Sequence, residues 1–474
     1  MPTGSVMGAL LSWKLVDAVP PRGVVAYAAL FWILGSFIQM LAPGIGVVGF
    51  GRLICGIAAG VISAVVPPYL AEIGGRSNRG KFASVLAMGI ALGFLGQIGG
   101  QLAEVSILGG VLEIYPEMRT RLLNLLRFSF AMQILPGVVL LIFCYFVPPS
   151  PRQLAKEGCW PEAKSLLADL HASGDRENAH VLAYLHELEG DVLNQPQRVR
   201  ARLVLGMLVT AWSQLCGVHL VLHQIMIVTV GAEFASSDLV VVLLHVLTFF
   251  FTLPAIGWLD SWGRRITMKL GCVCMAACLL WMGLFQSRRI ASSEAKDNNG
   301  LDETHVPWAI KSSHGDSLGM IIFCCLFMVT YAMSWGPIIW VYPVEIFPGW
   351  LRSRGFGLCM AVYWICNAGM AWGLPSLGRS TDGCSLNWII YLYVNWAAHE
   401  TKGYTLEEMD HAFLSGRRAW QHSSGERIFD LLVARIERQQ GLQGTDHAAG
   451  RPGQEFEMTE WASQQAGTPD VSPT

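Results

Sequence analysis

The chain has 474 residues, a formal charge of -2, 53% hydrophobic residues and only 14% charged ones, where a soluble domain carries about 25% charged. With a mean hydropathy of +0.42, this composition argues against a water-soluble globular protein, and the absence of a basic excess argues against a nucleic-acid partner. Most of the cysteines stand inside apolar runs (Cys55, Cys144, Cys272, Cys274, Cys278, Cys324, Cys325), where a thiol acts as a small hydrophobe. Neither a Cys-x-x-Cys nor a Cys/His zinc spacing occurs, so no metal or other cofactor is expected.

A bilayer core about 30 Å thick needs roughly 20 apolar residues as helix. In chain order the candidate spans are 4–19, 24–42, 46–70, 83–103, 123–147, 203–230, 239–259, 270–286, 317–343, 355–377 and 386–399, of which 4–19 and 386–399 are marginal. Small-xxx-small pairs recur as Gly56/Gly60, Gly89/Gly93 and Gly96/Gly100 and predict close helix packing, without naming the partner helix. Basic residues cluster at 76–81, 152–164, 198–202, 264–269 and 352–354, after every second span. The positive-inside rule places those loops in the cytosol.

Between the fifth and sixth spans, residues 148–202 are polar with helical apolar spacing (Ala163, Leu166, Leu167, Leu170; Leu182, Leu185, Leu188), which predicts short amphipathic cytosolic helices. From about 412 the chain is rich in Gln, Gly, Ser and charge, and its last thirty or so residues lack periodicity, a composition that predicts disorder. Two membrane blocks joined by one long inside loop outline a two-half transporter.

Six segments carry a family resemblance. They are GRLICGIAAG…VPPYLAEIGGRSNRG at 51–80, FAMQILPGVVLLIFCYFVPPSPRQL at 130–154, SQLCGVH at 213–219, DSWGRR at 260–265, WGPIIWVYPVEIFPGWLRSRG at 335–355 and ETKGYTLEEMD at 400–410. In this order and spacing the chain resembles the sugar porter family of the major facilitator superfamily over nearly its whole length, with wording closest to fungal hexose transporters. The resemblance implies an all-α membrane protein with two pseudo-symmetric halves and about 11 transmembrane helices, against 12 in the family. It implies an N-terminal half at 1–147 (family helices 2–6), a cytosolic helical linker at 148–202, a C-terminal half at 203–399 (family helices 7–12, the last one short) and a cytosolic tail at 400–474. The function implied is alternating-access transport of a hexose or related sugar or polyol, with a proton as a conceivable co-substrate. No covalent chemistry is implied, so the chain is not expected to be an enzyme. A multi-pass protein of the plasma membrane follows.

Two constellations carry the function. Glu72, Arg79, Arg152, Asp260, Arg264, Arg265, Glu345 and Arg352 fall at expected cytosolic helix ends; Arg forks pair bidentately with carboxylates, and in the family such residues close the inside as a salt-bridge cluster between halves. Positive-inside anchoring explains the arginines equally well but not Glu72 and Glu345, which end apolar runs at matching places in the two halves.

The second constellation is the sugar site. Gly336-Pro337 interrupts a span, which is tolerated where a helix lines a cavity. Trp340, one turn on, can stack on a sugar ring; the plain alternative is a core or interfacial Trp. By family position Gly336 and Trp340 face the cavity and Trp364 packs beside it. A mid-membrane Gln214 is costly unless it has partners. His219 stands where the family has Asn, and an imidazole titrates. The two lie about 140° apart on an ideal helix, so sharing a cavity requires the helix to loosen, which Gly217 permits. His219 and His223 have metal-ligand spacing, but that helix adds no third ligand. Thr248 replaces a family Asn, and Ala87 replaces a family Gln.

The resemblance also places residue 1 at the family's second helix, so the acid that proton-coupled members carry on their first helix has no counterpart here. On that ground the alternative reading is a transport-inactive, divergent or truncated relative.

Overall fold

The computed structural model describes residues 1–74, 80–82, 84–96, 127–193, 199–231, 237–297, 314–377, 383–402 and 428–448. All regular structure among them is helical: α1 (Pro2–Ala18), α2 (Pro21–Met40), α3 (Ile45–Ile73), α4 (Gly80–Gly96), α5 (Ile134–Phe146), α6 (Pro151–Lys156), α7 (Trp160–His171), α8 (Ala179–Leu193), α9 (Val199–Leu215), α10 (Val218–Gly231), α11 (Ser237–Thr252), α12 (Ala255–Trp262), α13 (Arg264–Asp297), α14 (His314–Met333), α15 (Trp335–Ile346), α16 (Gly349–Leu377), α17 (Gly383–Ala397) and α18 (Ile428–Ala448).

Among the described residues, seven stretches are long and apolar enough to cross a bilayer, and the pair α11–α12 makes an eighth if its 47° bend lies within one span. Pro254 stands at that bend, where its missing N–H ends the ladder of α11. Helices α1, α4 and α17 are shorter than eighteen residues. Many large apolar side chains lie on the outside, among them Phe31, Phe50, Phe143, Tyr145 and Phe146. That surface would aggregate in water; in lipid it faces its own kind of solvent. This is a multi-pass helical membrane protein.

Helices α1, α2, α3 and α5 pack together, and α9–α11 with α13–α17 form a second assembly. The two meet where α1 and α3 lie against α16, where α3 meets α15, and where α4 touches α12. Small residues set the α1–α3 packing within the first assembly. A Cβ on Gly56 would sit 2.3 Å from the Met1 carbonyl oxygen, and one on Gly60 would sit 2.1 Å from that of Ser5. The Gly56/Gly60 pair therefore has its partner in α1, whereas Gly89 and Gly93 face open space and Gly100 lies outside the described residues. The second assembly buries the larger core, including Cys216, Cys272, Cys324 and Cys359 as fully enclosed, unbridged thiols.

Helices α6, α7 and α8 form a compact unit around Leu167, Ala168 and Val181. The tail helix α18 packs on α8, with Val433 against Ala179 and Ala183, and Gln440 Nε2 donates to the Glu177 carbonyl at 2.7 Å. Residues 449–474, where disorder is expected, lie outside the described residues.

Candidate functional site

Among the interior breaks of the spans, two lie in the helices that carry Gln214, His219, Gly336 and Trp340. Between α9 and α10 the helix stops at Leu215 and restarts at Val218. Gly217 adopts φ 109° there, a conformation a side chain would strain. The turn brings Gln214 and His219, which a continuous helix would point apart, to 2.9 Å between Oε1 and Nε2. Between α14 and α15 the break falls at Ser334 (φ -123°, ψ -85°), two residues before Gly336.

A third group completes the cluster. Asn367 of α16 places Nδ2 3.1 Å from Gln214 Oε1 and 3.1 Å from His219 Nε2. Gln214 also hydrogen-bonds Tyr363. The ring of Tyr363 lies 6.0 Å from that of Trp340 and 5.2 Å, edge-on, from that of Trp364. Gln214, His219, Asn367 and three aromatic rings therefore form one contiguous patch. The Trp364 indole donates to Ser63 Oγ of α3 at 3.1 Å, joining the two helical assemblies beside that patch. Thr248 is not drawn in: its hydroxyl donates to the Leu244 carbonyl of its own helix at 2.8 Å. Gly336 rests against Tyr331.

Asn367, Tyr363 and Ser63 were missed by sequence reasoning. Asn367 had a usable signal, since an amide in the middle of the apolar run 355–377 needs partners as much as Gln214 does. Ser63 had none, because hydroxyls are common in membrane helices.

The Arg-rich end holds the charged residues in two groups. Arg264 grips Glu345 in a fork, with Nη2 to Oε1 at 2.8 Å and Nε to Oε2 at 3.2 Å, and reaches Asp260 Oδ1 at 3.0 Å. Thr401 Oγ1 donates to Glu345 Oε2 at 2.5 Å, while Glu400 accepts the backbone N–H groups of Arg264 and Arg265 at 2.9 and 3.0 Å. Arg265 Nη2 donates to the Asn395 carbonyl at 2.7 Å. This group lies wholly within the second assembly except at Asp260. That carboxylate crosses over to the start of α4 and accepts Gly80 N–H at 3.2 Å and Lys81 N–H at 3.1 Å. A carboxylate at a helix N-terminus satisfies orphan donors and the helix dipole together. A Cβ on residue 80 would fall 2.2 Å from Asp260 Oδ1, so glycine is what lets the acid come so close.

The second group centres on Glu72 at the end of α3. Ser150 donates to it, and Arg152 Nε and Arg352 Nη1 each stand 3.9 Å away. Arg352 belongs to α16, so this contact also crosses between assemblies. Arg354 adds a crossing pair with Asp17 at 2.8 Å. Arg79 lies outside the described residues. Between the charged end and the aromatic patch sits a small cavity lined by Pro67, Leu70, Phe82, Leu86, Trp340 and Glu345.

A helical membrane protein with broken spans around a cluster of neutral polar groups can be compared with known proteins. Residues 1–413 match the model of the sugar (and other) transporter family. The chain belongs to that family. This transporter is 33% identical over 439 residues to the MFS glucose transporter mfs1 of Aspergillus flavus, covering 89% of this chain and 82% of that one. It is 28% identical to the High-affinity glucose transporter 1 of Candida albicans, over 90% and 78% of the respective chains. Its fold matches the proton:xylose symporter XylE bound to 6-bromo-6-deoxy-D-glucose with a TM-score of 0.69 at 21% identity, covering 87% of both chains. The major facilitator fold and a role in sugar transport, rather than enzymatic chemistry, follow from these matches.

Proposed function

We propose that this transporter carries a hexose of the glucose class across the plasma membrane by alternating access. The observation that carries the reading is the convergence of Gln214, His219 and Asn367 within 3.1 Å of one another at a helix break. A hydroxyl-rich, uncharged solute is best held by neutral amide and imidazole groups beside rings that stack on its C–H face. Gln214, His219 and Asn367 supply the first, and Trp340 with Tyr363 the second. Gly336 gives the cavity wall its bend, and Trp364 supports the patch from α16. Thr248 takes a hydroxyl only by exchanging its bond to Leu244. The relatives named as glucose transporters support the choice of sugar.

The N-terminal half (1–147) and C-terminal half (203–399) rock about this site, linked by 148–202. The Arg-rich end is cytosolic by the positive-inside rule, and its contacts hold that side shut. Asp260 on the first turn of α4 and Arg352 with Glu72 bridge the halves directly; Arg264, Glu345 and Arg265 hold Asp260 in place from behind, and Arg152 holds Glu72. Arg79, which follows Glu72 in sequence, belongs to the same closure.

A proton as co-substrate is supported by a relative named as a galactose-proton symporter. Uptake of labelled D-glucose into proteoliposomes, with and without an imposed pH gradient, tests substrate and coupling together. Gradient-independent uptake makes the protein a uniporter, and no uptake of any hexose by folded protein removes the transport reading.

A further inference from the structure

The hydrogen bonds around His219 fix its ring more tightly than a pocket residue requires. Ser213 Oγ donates to the Thr210 carbonyl at 2.7 Å, so toward Gln214 the same oxygen acts as acceptor, taking Nε2–H at 3.3 Å. That sets the amide of Gln214: its nitrogen faces Ser213 and its Oε1 faces His219 and Asn367. Oε1 has no hydrogen to give, so the 2.9 Å contact to His219 Nε2 is a hydrogen bond when the hydrogen sits on Nε2, and the 3.1 Å approach of Asn367 Nδ2 to Nε2 is then a contact between two donors rather than a bond. Asn367 Nδ2 donates to the same oxygen at 3.1 Å. The neutral ring therefore keeps its lone pair on Nδ1. His219 is half-buried, and among the described residues Nδ1 makes no hydrogen bond to the protein.

The surroundings offer an added charge nothing to balance it. Among the described residues, the neighbouring titratable groups are Tyr363 of α16, Tyr331 of α14, Cys216 at the helix break, and His223 one turn along α10. Leu279 of α13 and Phe327 of α14 cover Gly217. Residues 203–215 of α9, 270–285 of α13, 317–333 of α14 and 355–377 of α16 contain no acidic or basic side chain, and α10 contains only its two histidines.

We propose that a sugar hydroxyl and a proton compete for one lone pair, that on Nδ1 of His219. In the neutral ring Nδ1 accepts a hydroxyl hydrogen from the sugar while Nε2–H stays on Gln214. Protonation occupies that lone pair, turns the acceptor into a donor, and places a charge where no carboxylate among the described residues stands to meet it. By linkage, bound sugar likewise holds the ring neutral. This rests on the sugar site proposed above and adds its regulation: acidification on the open side lowers affinity, so this residue alone opposes coupled proton entry.

The test is equilibrium binding of labelled D-glucose to the purified full chain in nanodiscs between pH 5 and 8. Apparent affinity follows the neutral fraction of the ring, so below its titration each pH unit weakens binding by up to about tenfold. His219→Asn, and His219→Gln as a second variant should the first not fold, bind with a pH-independent constant whatever its absolute value. Wild-type binding that is flat over this range, tightens on acidification, or keeps its slope in both variants overturns the proposal. Gln214→Ala and Asn367→Ala serve as the separate control: undiminished binding in both refutes the sugar site itself.

Discussion

Arg264 and Glu345 form a forked pair in which each side chain is only 2% exposed, and both belong to the same helical assembly. An ion pair this deep is expensive to break from one side, because the survivor stays buried and uncompensated. Glu345→Ala is expected to destabilise the folded protein by about 3–5 kcal/mol, read as a lowered melting temperature in detergent. Thr401→Val, which removes one donor to Glu345, costs about 1.5–3 kcal/mol. Full stability in Glu345→Ala would show that the pair is not integral to the second assembly.

The contacts that cross between assemblies should behave differently. Asp260→Asn and Glu72→Gln remove the charge from two of the crossing carboxylates while keeping shape. The Asp260 contacts are charge-assisted hydrogen bonds, worth about 1.5–3 kcal/mol, so Asp260→Asn shifts the balance toward the inward-open state by roughly 10- to 150-fold; Glu72, at 3.9 Å from Arg352, gives a smaller shift of the same direction. A single cysteine placed in the cavity reports this as faster labelling from the cytosolic side. Gly80→Ala, which pushes the Asp260 carboxylate away from the α4 terminus, has the same direction. Unchanged labelling in all three returns these residues to anchoring.

Asn367 and Gln214 share one hydrogen bond at the centre of the patch, so their losses should not add. Each alanine variant is expected to weaken D-glucose binding by about 5- to 150-fold, from the ~1–3 kcal/mol cost of an unpaired buried partner. The double variant falls short of the product. Trp340→Ala weakens binding with little loss of folded protein if the ring contacts sugar. Loss of expression instead assigns Trp340 to core packing.

In the linker, His171 is partly buried and stacks on Tyr184, with centroids 5.5 Å apart. Burial pushes its ring below the usual histidine range. The unfolded linker then takes up a proton before the folded one does, so stability is full above the ordinary histidine pKa of about 6.5 and declines as pH falls through it. Hydrogen exchange of α7 and α8 should rise between pH 7 and pH 5, and His171→Phe should remove that dependence. A rise of equal size in the variant would assign the effect to another group.

Much of the fold could be read from residues because lipid makes strong demands on sequence. Twenty-residue apolar runs gave most helices, and the single glycine at 217 anticipated the turn that brings Gln214 and His219 together. Gly336-Pro337 marked the break that falls at Ser334, whereas the bend at Pro254, inside the expected span 239–259, went unread. What the sequence could not supply was partnership. Arg264, Glu345 and Asp260 read as one charged set, yet only geometry separates the pair held inside one assembly from the carboxylate that reaches across to α4. Asn367 went unread because a polar residue in an apolar run does not say which way it faces, and Thr248, read by family position as a ligand, bonds its own helix. The tail helix α18 was hidden because its apolar face is narrow (Leu432, Val433, Ile436) and needs α8 to make it worth burying.

Sugar movement by the folded chain is the most direct measure of its function. In a host lacking other hexose carriers, uptake of labelled D-glucose by cells expressing the protein should be saturable, competed by unlabelled hexose, and sharply reduced by Gln214→Ala at equal surface expression. Correctly inserted protein that gives no saturable uptake of any hexose would contradict the account and favour the transport-inactive alternative.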